Sequence, residues 1–174
     1  MKKLFYPMAA LFLIATSAFT VVRFQDWKIA DNYILKFDGG DPTGEFRGLK
    51  GTVSFDEQNL ASSKFDVSVD VASINTGNGM KNTHAKSAQW FDAEKFPVIK
   101  FTSSAITKGA SGYAAKGILE MHGVKKEISF PFTFANNTFA SDFEINRNEF
   151  GIGDPNHQKV PAMLKVSLSV PVIK

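Results

Sequence analysis

The 174-residue chain has no cysteine, which removes disulfides, thiolate metal sites, iron–sulfur clusters and cysteine nucleophiles together. Histidine is scarce. His84, His122 and His157 lie far apart, and none has the H-E-x-x-H spacing that places two zinc ligands on one helix face. The nucleophile elbow G-x-S-x-G is absent, as is a glycine-rich phosphate loop. Gly151-Ile152-Gly153 lacks the remaining glycine and the strand-to-helix setting. Excess charge of one sign is small, at +3. Lys2 and Lys3 supply two of the basic residues in an acid-free stretch over 1–18, leaving eighteen basic against seventeen acidic residues beyond it. Such a balance offers no basic face for nucleic acid. A 30-residue βαβ period, internal repeats and low-complexity tracts are missing too. These absences predict no catalytic residue, no metal and no cofactor. A lipid hydrolase or isomerase ranks last among the readings, for want of a nucleophile–base pair.

What is present is apolar and aromatic. Hydrophobic residues make up 44% and charged residues 21%, the balance of a globular domain with a substantial core. Phenylalanine occurs 17 times against 3 Tyr and 2 Trp, so the dominant aromatic is the one without a polar handle.

The N-terminus reads as an export signal. Lys2-Lys3 forms a positive n-region, Leu4 to Ala15 an apolar h-region, and Thr16-Ser17-Ala18 a small-residue cleavage site. Residues 1–18 are accordingly expected to be a cleaved signal peptide, with 19–174 a single mature domain, periplasmic or secreted and without a stable membrane span. The alternative is a retained anchor, because apolar residues continue through Phe19, Val21 and Val22 and a spanning helix needs roughly 20 of them. A cysteine-free chain suits an oxidising compartment.

From Trp27 onward the pattern has period two. Phe65-Asp66-Val67-Ser68-Val69-Asp70-Val71 alternates strictly, which buries one face of a strand and wets the other. Ile128/Phe130/Phe132/Phe134, Phe139/Ser141/Phe143/Ile145 and Leu164/Val166/Leu168/Val170/Val172 do the same, and further strands are predicted at about 27–37, 46–55, 98–106 and 112–121. Gly39-Gly40-Asp41-Pro42, Gly109 to Gly112, His122-Gly123 and Asn136-Asn137 supply the turns. About eight short strands joined this way predict an all-β sandwich or closed up-and-down barrel. One stretch, Gly79 to Phe96, loses the alternation. Asn78 can cap a short helix carrying Met80, His84 and Ala88, and Asp92 a second turn, before Pro97 forces extended chain. A helical insertion over about 79–96, bearing Trp90, Phe91 and Phe96, is expected to lie over the open end of the barrel.

Four motifs in order resemble the YceI-like family of secreted lipocalin-type proteins. They are Gly44-x-Phe46-x-Gly48-x-x-Gly51-x-Val53-x-Phe55-Asp56; Ser73-Ile74-x-Thr76-Gly77-Asn78 with His84 and Trp90-Phe91-Asp92-x-x-x-Phe96-Pro97; Gly117-x-Leu119-x-Met121-His122-Gly123-Val124; and Asn146-Arg147-x-x-Phe150-Gly151-Ile152-Gly153. They extend over roughly 27–173. The chain departs from the family at Asn82 and Ala85, where an acidic residue and a leucine are frequent, which puts ligand identity in question. The resemblance implies an eight-stranded antiparallel lipocalin-like barrel with a short helical insertion, holding a long apolar molecule such as a polyisoprenoid or isoprenoid quinone. It also implies a homodimer as the form to test.

Candidate pocket residues follow from the inward faces and the insertion: Phe37, Phe55, Val67, Val69, Met80, Trp90, Phe91, Phe101, Leu119, Phe130, Phe132 and Phe143. The competing account of each is ordinary core packing, since small barrels are filled by side chains. Thr76, Asn78, His84 and Arg147 are the candidate polar contacts to a ligand head group. Against that, Thr76 and Asn78 can organise the turn and cap the helix, His84 can be a plain surface histidine, and Arg147 can pair with Asp154 or Glu149. Two functions remain: a non-catalytic carrier of an apolar lipid, or a ligand-free stress-response or interaction module with a packed barrel.

Overall fold

The structure, a computed structural model, describes residues 25–156 and 160–174. The expected signal peptide, the alternative anchor and His157 lie outside the described residues. Ten strands form: β1 (Asp26–Ile29), β2 (Ile34–Asp38), β3 (Thr43–Glu45), β4 (Lys50–Ser54), β5 (Lys64–Asp70), β6 (Val98–Gly109), β7 (Gly112–Met121), β8 (Val124–Ala135), β9 (Thr138–Asn146) and β10 (Met163–Ile173). The single α-helix among the described residues is α1 (Gly79–Lys86).

All pairings are antiparallel, and the sheet closes. β1 and β2 both pair with β10, Lys28 opposite Ile173 and Lys36 opposite Ser167, while β4 and β3 pair with β1 and β2 on the other side. Thus β1–β2 and β3–β4 are each one interrupted stave, and with β5 to β10 they complete an eight-stranded up-and-down barrel. The staves predicted at 27–37 and 46–55 are each broken into two pieces. At the first break Tyr33 turns inward and its hydroxyl accepts the Leu49 N–H at 2.9 Å. At the second, Phe46 leaves the strand to pack in a small cluster with Val69 and Ile74.

Turn chemistry and local crowding fix the registers. His122 and Gly123 both have positive φ (+54° and +74°), as do Asn136 and Asn137, the backbone that tight hairpins of twisted strands require. Inside the barrel, Phe55 is the hub of the end formed by the β4–β5, β6–β7 and β8–β9 connections. Its ring contacts those of Phe65, Phe132 and Phe139 at centroid distances of 6.3, 5.6 and 5.3 Å. Those three also contact one another at 5.4, 5.5 and 5.9 Å. Phe134 and Tyr113 extend the cluster, each 5.1 Å from Phe55. The Trp27 indole N–H donates to the Phe55 carbonyl at 2.9 Å. This end is packed solid.

At the rim of that packed end the Tyr113 hydroxyl donates to Glu57 at 2.6 Å. That hydrogen bond, then burial and the negative charge of Glu57, raises the tyrosine pKa above its ordinary value of 10.0. The neutral tyrosine therefore adds stability below about pH 10, and that contribution fades as pH rises through the higher folded-state value. Tyr113→Phe should lose that contribution at pH 7 and flatten the alkaline loss of stability in denaturant unfolding between pH 9 and about 11, where the variant and the wild type converge.

Candidate functional site

Above the aromatic end the barrel is hollow. A cavity of about 260 Å³ is bordered by 33 residues, of which only Lys36, Thr76 and Arg147 have polar side chains. Its walls come from the inward positions of nearly every stave, among them Leu35 and Phe37 of β2, Val67 and Val69 of β5, Phe101 of β6, Leu119 of β7, Phe130 of β8, Phe143 of β9 and Val166 of β10. Phe130 and Phe143 stack at 4.6 Å with planes 16° apart, and Phe101 lies 5.1 Å from Phe130. Inward-facing Val67, Ile128, Phe130, Phe143, Val166 and Leu168 are only half-buried, whereas Phe55, Phe65, Phe132 and Phe139 below them are buried. The half-burial of residues that point into a barrel is the mark of unfilled interior.

The upper end is covered by two segments. The first is α1 and the turns that follow it. Asn78 caps α1 by accepting the N–H groups of Met80 and Lys81, the expected cap chemistry, and its side chain does not border the cavity. No residue of α1 is buried; Ala85 packs against the Phe46–Val69–Ile74 cluster and borders the cavity, and polar contacts hold the rest. The Asn82 carbonyl oxygen accepts both the N–H and the hydroxyl of Thr76 at 2.7 Å, and Lys81 pairs with Asp41 of the β2–β3 turn. A carboxylate at 82 would offer the same two acceptor sites, so this departure from the family pattern leaves the contact intact. Helix stops at Lys86. Two turns follow, at 88–91 and 93–95. The second is the one expected after Asp92, whose carbonyl accepts the Lys95 and Phe96 N–H groups at 3.0 and 2.7 Å, while Asp92 itself takes a left-handed conformation (φ +45°) instead of the extended one of a side-chain cap. Those turns deliver Trp90 and Phe91 to the cavity.

The second segment is the β9–β10 connection, organised by Arg147. Its side chain is 1% exposed. The guanidinium donates to the carbonyls of Pro161 (3.0 Å), Ile152 (2.6 Å), Asp154 (3.2 Å) and Val160 (2.9 Å). It also lies 5.5 Å over the Trp90 ring. Burial lowers its pKa, opposed by the charge of Asp154. Arg147 therefore borders the cavity but spends four N–H donors on the loop that covers it. The expected partner Asp154 is met through its carbonyl, and Glu149 pairs with Lys126 instead. The two segments join where the Gly153 N–H donates to the Gln89 carbonyl at 3.1 Å. Gly153 has φ +69°, and a Cβ there would stand 2.8 Å from the Trp90 ring. Only glycine fits both conditions.

Of the sequence candidates, Phe37, Val67, Val69, Trp90, Phe91, Phe101, Leu119, Phe130, Phe132 and Phe143 border the cavity, with Thr76 and Arg147. Phe55 and Met80 do not. Phe55 sits behind the cavity floor among other rings, and Met80, on the outer side of α1, is 82% exposed. His84 lies outside as well, where its Nε2 accepts the Trp90 indole N–H at 2.7 Å; it positions the tryptophan. Phe65, Phe139, Ile128, Ile145, Leu164 and Val166 are wall residues that the candidate set omitted, though the same alternation marks their faces. Ile152 and Val160 also border the cavity, but they sit on an irregular loop that carries no periodic signal. Among the described residues no helix is long and apolar enough to cross a membrane, and no group of three or more His, Asp or Glu gathers to hold a metal.

Fold and cavity together define a closed β-barrel with an apolar interior chamber. The family model for the YceI-like domain matches residues 18–172, and the chain belongs to that family. A UPF0312 protein of Photorhabdus laumondii is 36% identical over 85 residues, covering 49% of this chain and 44% of that protein. The protein YceI of Escherichia coli is 31% identical over 86 residues, covering 49% and 45%. The chain's matches thus span about half the length of these curated relatives. Among solved structures, Burkholderia cenocepacia BcnA superimposes with TM-score 0.77 at 25% identity, over 84% of this chain and all of that one. A polyisoprenoid binding domain from Saccharophagus degradans, 12% identical, shares the fold with TM-score 0.59 over 85% and 97% of the two chains.

The placement of Arg147 makes a prediction that separates a scaffold role from a head-group contact. Each orphaned buried carbonyl costs ~1–3 kcal/mol, so Arg147→Met should lose about 3 kcal/mol or more of unfolding free energy. Arg147→Lys should recover only part of it, because one ammonium cannot reproduce the planar fork. Urea denaturation of the two variants checks this.

Proposed function

We propose that this protein is a non-catalytic binding protein that shelters a slender apolar lipid of the polyisoprenoid or isoprenoid-quinone kind inside its barrel. The observation that carries the proposal is the chamber itself: 30 of its 33 bordering residues are apolar, and Arg147 and Thr76 already have partners within the protein. A wall of that kind has little with which to orient a polar metabolite. It rewards hydrocarbon, at about 0.8 kcal/mol for each methylene withdrawn from water. The polyisoprenoid-binding domain that shares the fold supports the same ligand class. The packed-barrel interaction module loses support from the hollow upper half of the barrel.

The location we propose is periplasmic or secreted, by way of the leader read over 1–18. The family match beginning at residue 18 is consistent with a leader that stands outside the domain. No cofactor beyond the lipid and no nucleic-acid partner belong to this reading. A homodimer remains part of it on the strength of the family resemblance.

Native mass spectrometry of the purified protein, followed by organic extraction, tests the reading directly. A stoichiometric isoprenoid or quinone is the expected result. An empty protein that also fails to take up added prenyl lipids would remove it. Phe130→Asp places a carboxylate on the apolar chamber wall, and should weaken retention by about tenfold or more, ~1.4 kcal/mol. The half-buried position of Phe130 lets the barrel stay folded, which circular dichroism would check.

A further inference from the structure

Of the cavities, charged clusters and exposed apolar residues in the molecule, the boundary between the hollow and the solid half of the barrel carries the most. Phe55, Phe65, Phe132 and Phe139 form a cluster in which each ring contacts the other three. Phe65, Phe132 and Phe139 present one side to the chamber, while Phe55 stands behind them and does not border it. All four are buried. Ring-on-ring contact on the far side leaves none of the three floor rings space to swing away, since a protein interior at crystal-like density yields little to pressure from one direction. The upper end is built differently. There α1 buries none of its residues; Ala85 is its one apolar contact with the Phe46–Val69–Ile74 cluster, and polar contacts supply the rest, so opening it breaks far less packing than moving the floor would.

Resting on the lipid reading above, we infer that this barrel is a chain-length gauge. The hydrocarbon enters from the α1 end, and its far tip stops on the Phe65–Phe132–Phe139 layer, which sets the longest chain the chamber accepts whole. Phe101, Phe130 and Phe143 form the wall and set width. Because the floor does not give, units beyond the limit remain in water and add no affinity.

The test is competition by geraniol, farnesol, geranylgeraniol and solanesol against a fluorescent apolar dye bound to the delipidated protein. In the wild type, affinity should rise about tenfold or more per added isoprene unit until a limiting length and then level off. Val67→Phe fills the space directly above the floor on β5 and should move the limit to a shorter alcohol. Phe132→Ala should move it to a longer one, and Phe101→Ala should widen the chamber without moving it. If Phe132→Ala does not fold, Val67→Phe decides, because it adds a ring where there is space. An unshifted limit in Val67→Phe, or a wild type whose affinity climbs through the longest alcohol, overturns the gauge while leaving lipid binding intact. A wild type that binds none of the four overturns the lipid reading and the gauge with it.

Discussion

Closing eight strands into a cylinder creates an interior whose width is fixed by the strand number, and everything else here answers to how that width is filled. Four mutually touching phenylalanines fill it at one end. Farther along, Val, Leu and Phe side chains line the wall around an unfilled interior. The same alternating pattern therefore produces a core in one half and a chamber in the other. Closure through the β1–β10 pairing also removes the exposed strand edges that an open sheet would have to protect.

The two ends of the chamber are made of different interactions. The floor is aromatic and dry, stabilised by contact area that is lost only by unfolding. The cover is polar: an Asn82–Thr76 pair, a Lys81–Asp41 ion pair, and a tryptophan held by His84 on one side and Arg147 on the other. Exposed ion pairs and single hydrogen bonds each contribute about 1 kcal/mol or less. Local opening should therefore begin at the α1 end, where few apolar contacts have to be broken. Arg147 is the exception within the cover, since four carbonyl contacts make it the fixed point of the β9–β10 loop.

Much of the wall was legible in the sequence, because a strand that buries one face must alternate. Val67, Phe101, Leu119, Phe130 and Phe143 were readable in that way, and so were the turns at His122-Gly123 and Asn136-Asn137. Phe55 and Met80 show the limit. Alternation says that a phenylalanine points inward, but not at which height it stands or whether another ring occupies the space before it. Met80 has the hydropathy of a lid residue, and only the rotation of α1 about its axis puts it in solvent. Asn78, His84 and Arg147 had the right chemistry for a head group, yet each spends it inside the protein on a cap, an indole and a loop.

The sequence by itself determined the all-β class, the hairpin turns, the single helical insertion and the family, because these follow from local periodicity, positive-φ turn residues and ordered motifs. Tertiary structure alone decided where packing stops and the chamber begins, and which polar groups are already satisfied. Both depend on distances between staves far apart in the chain: Phe55 meets Phe139 across 84 positions, and Arg147 meets Trp90 across 57. No local pattern encodes such distances.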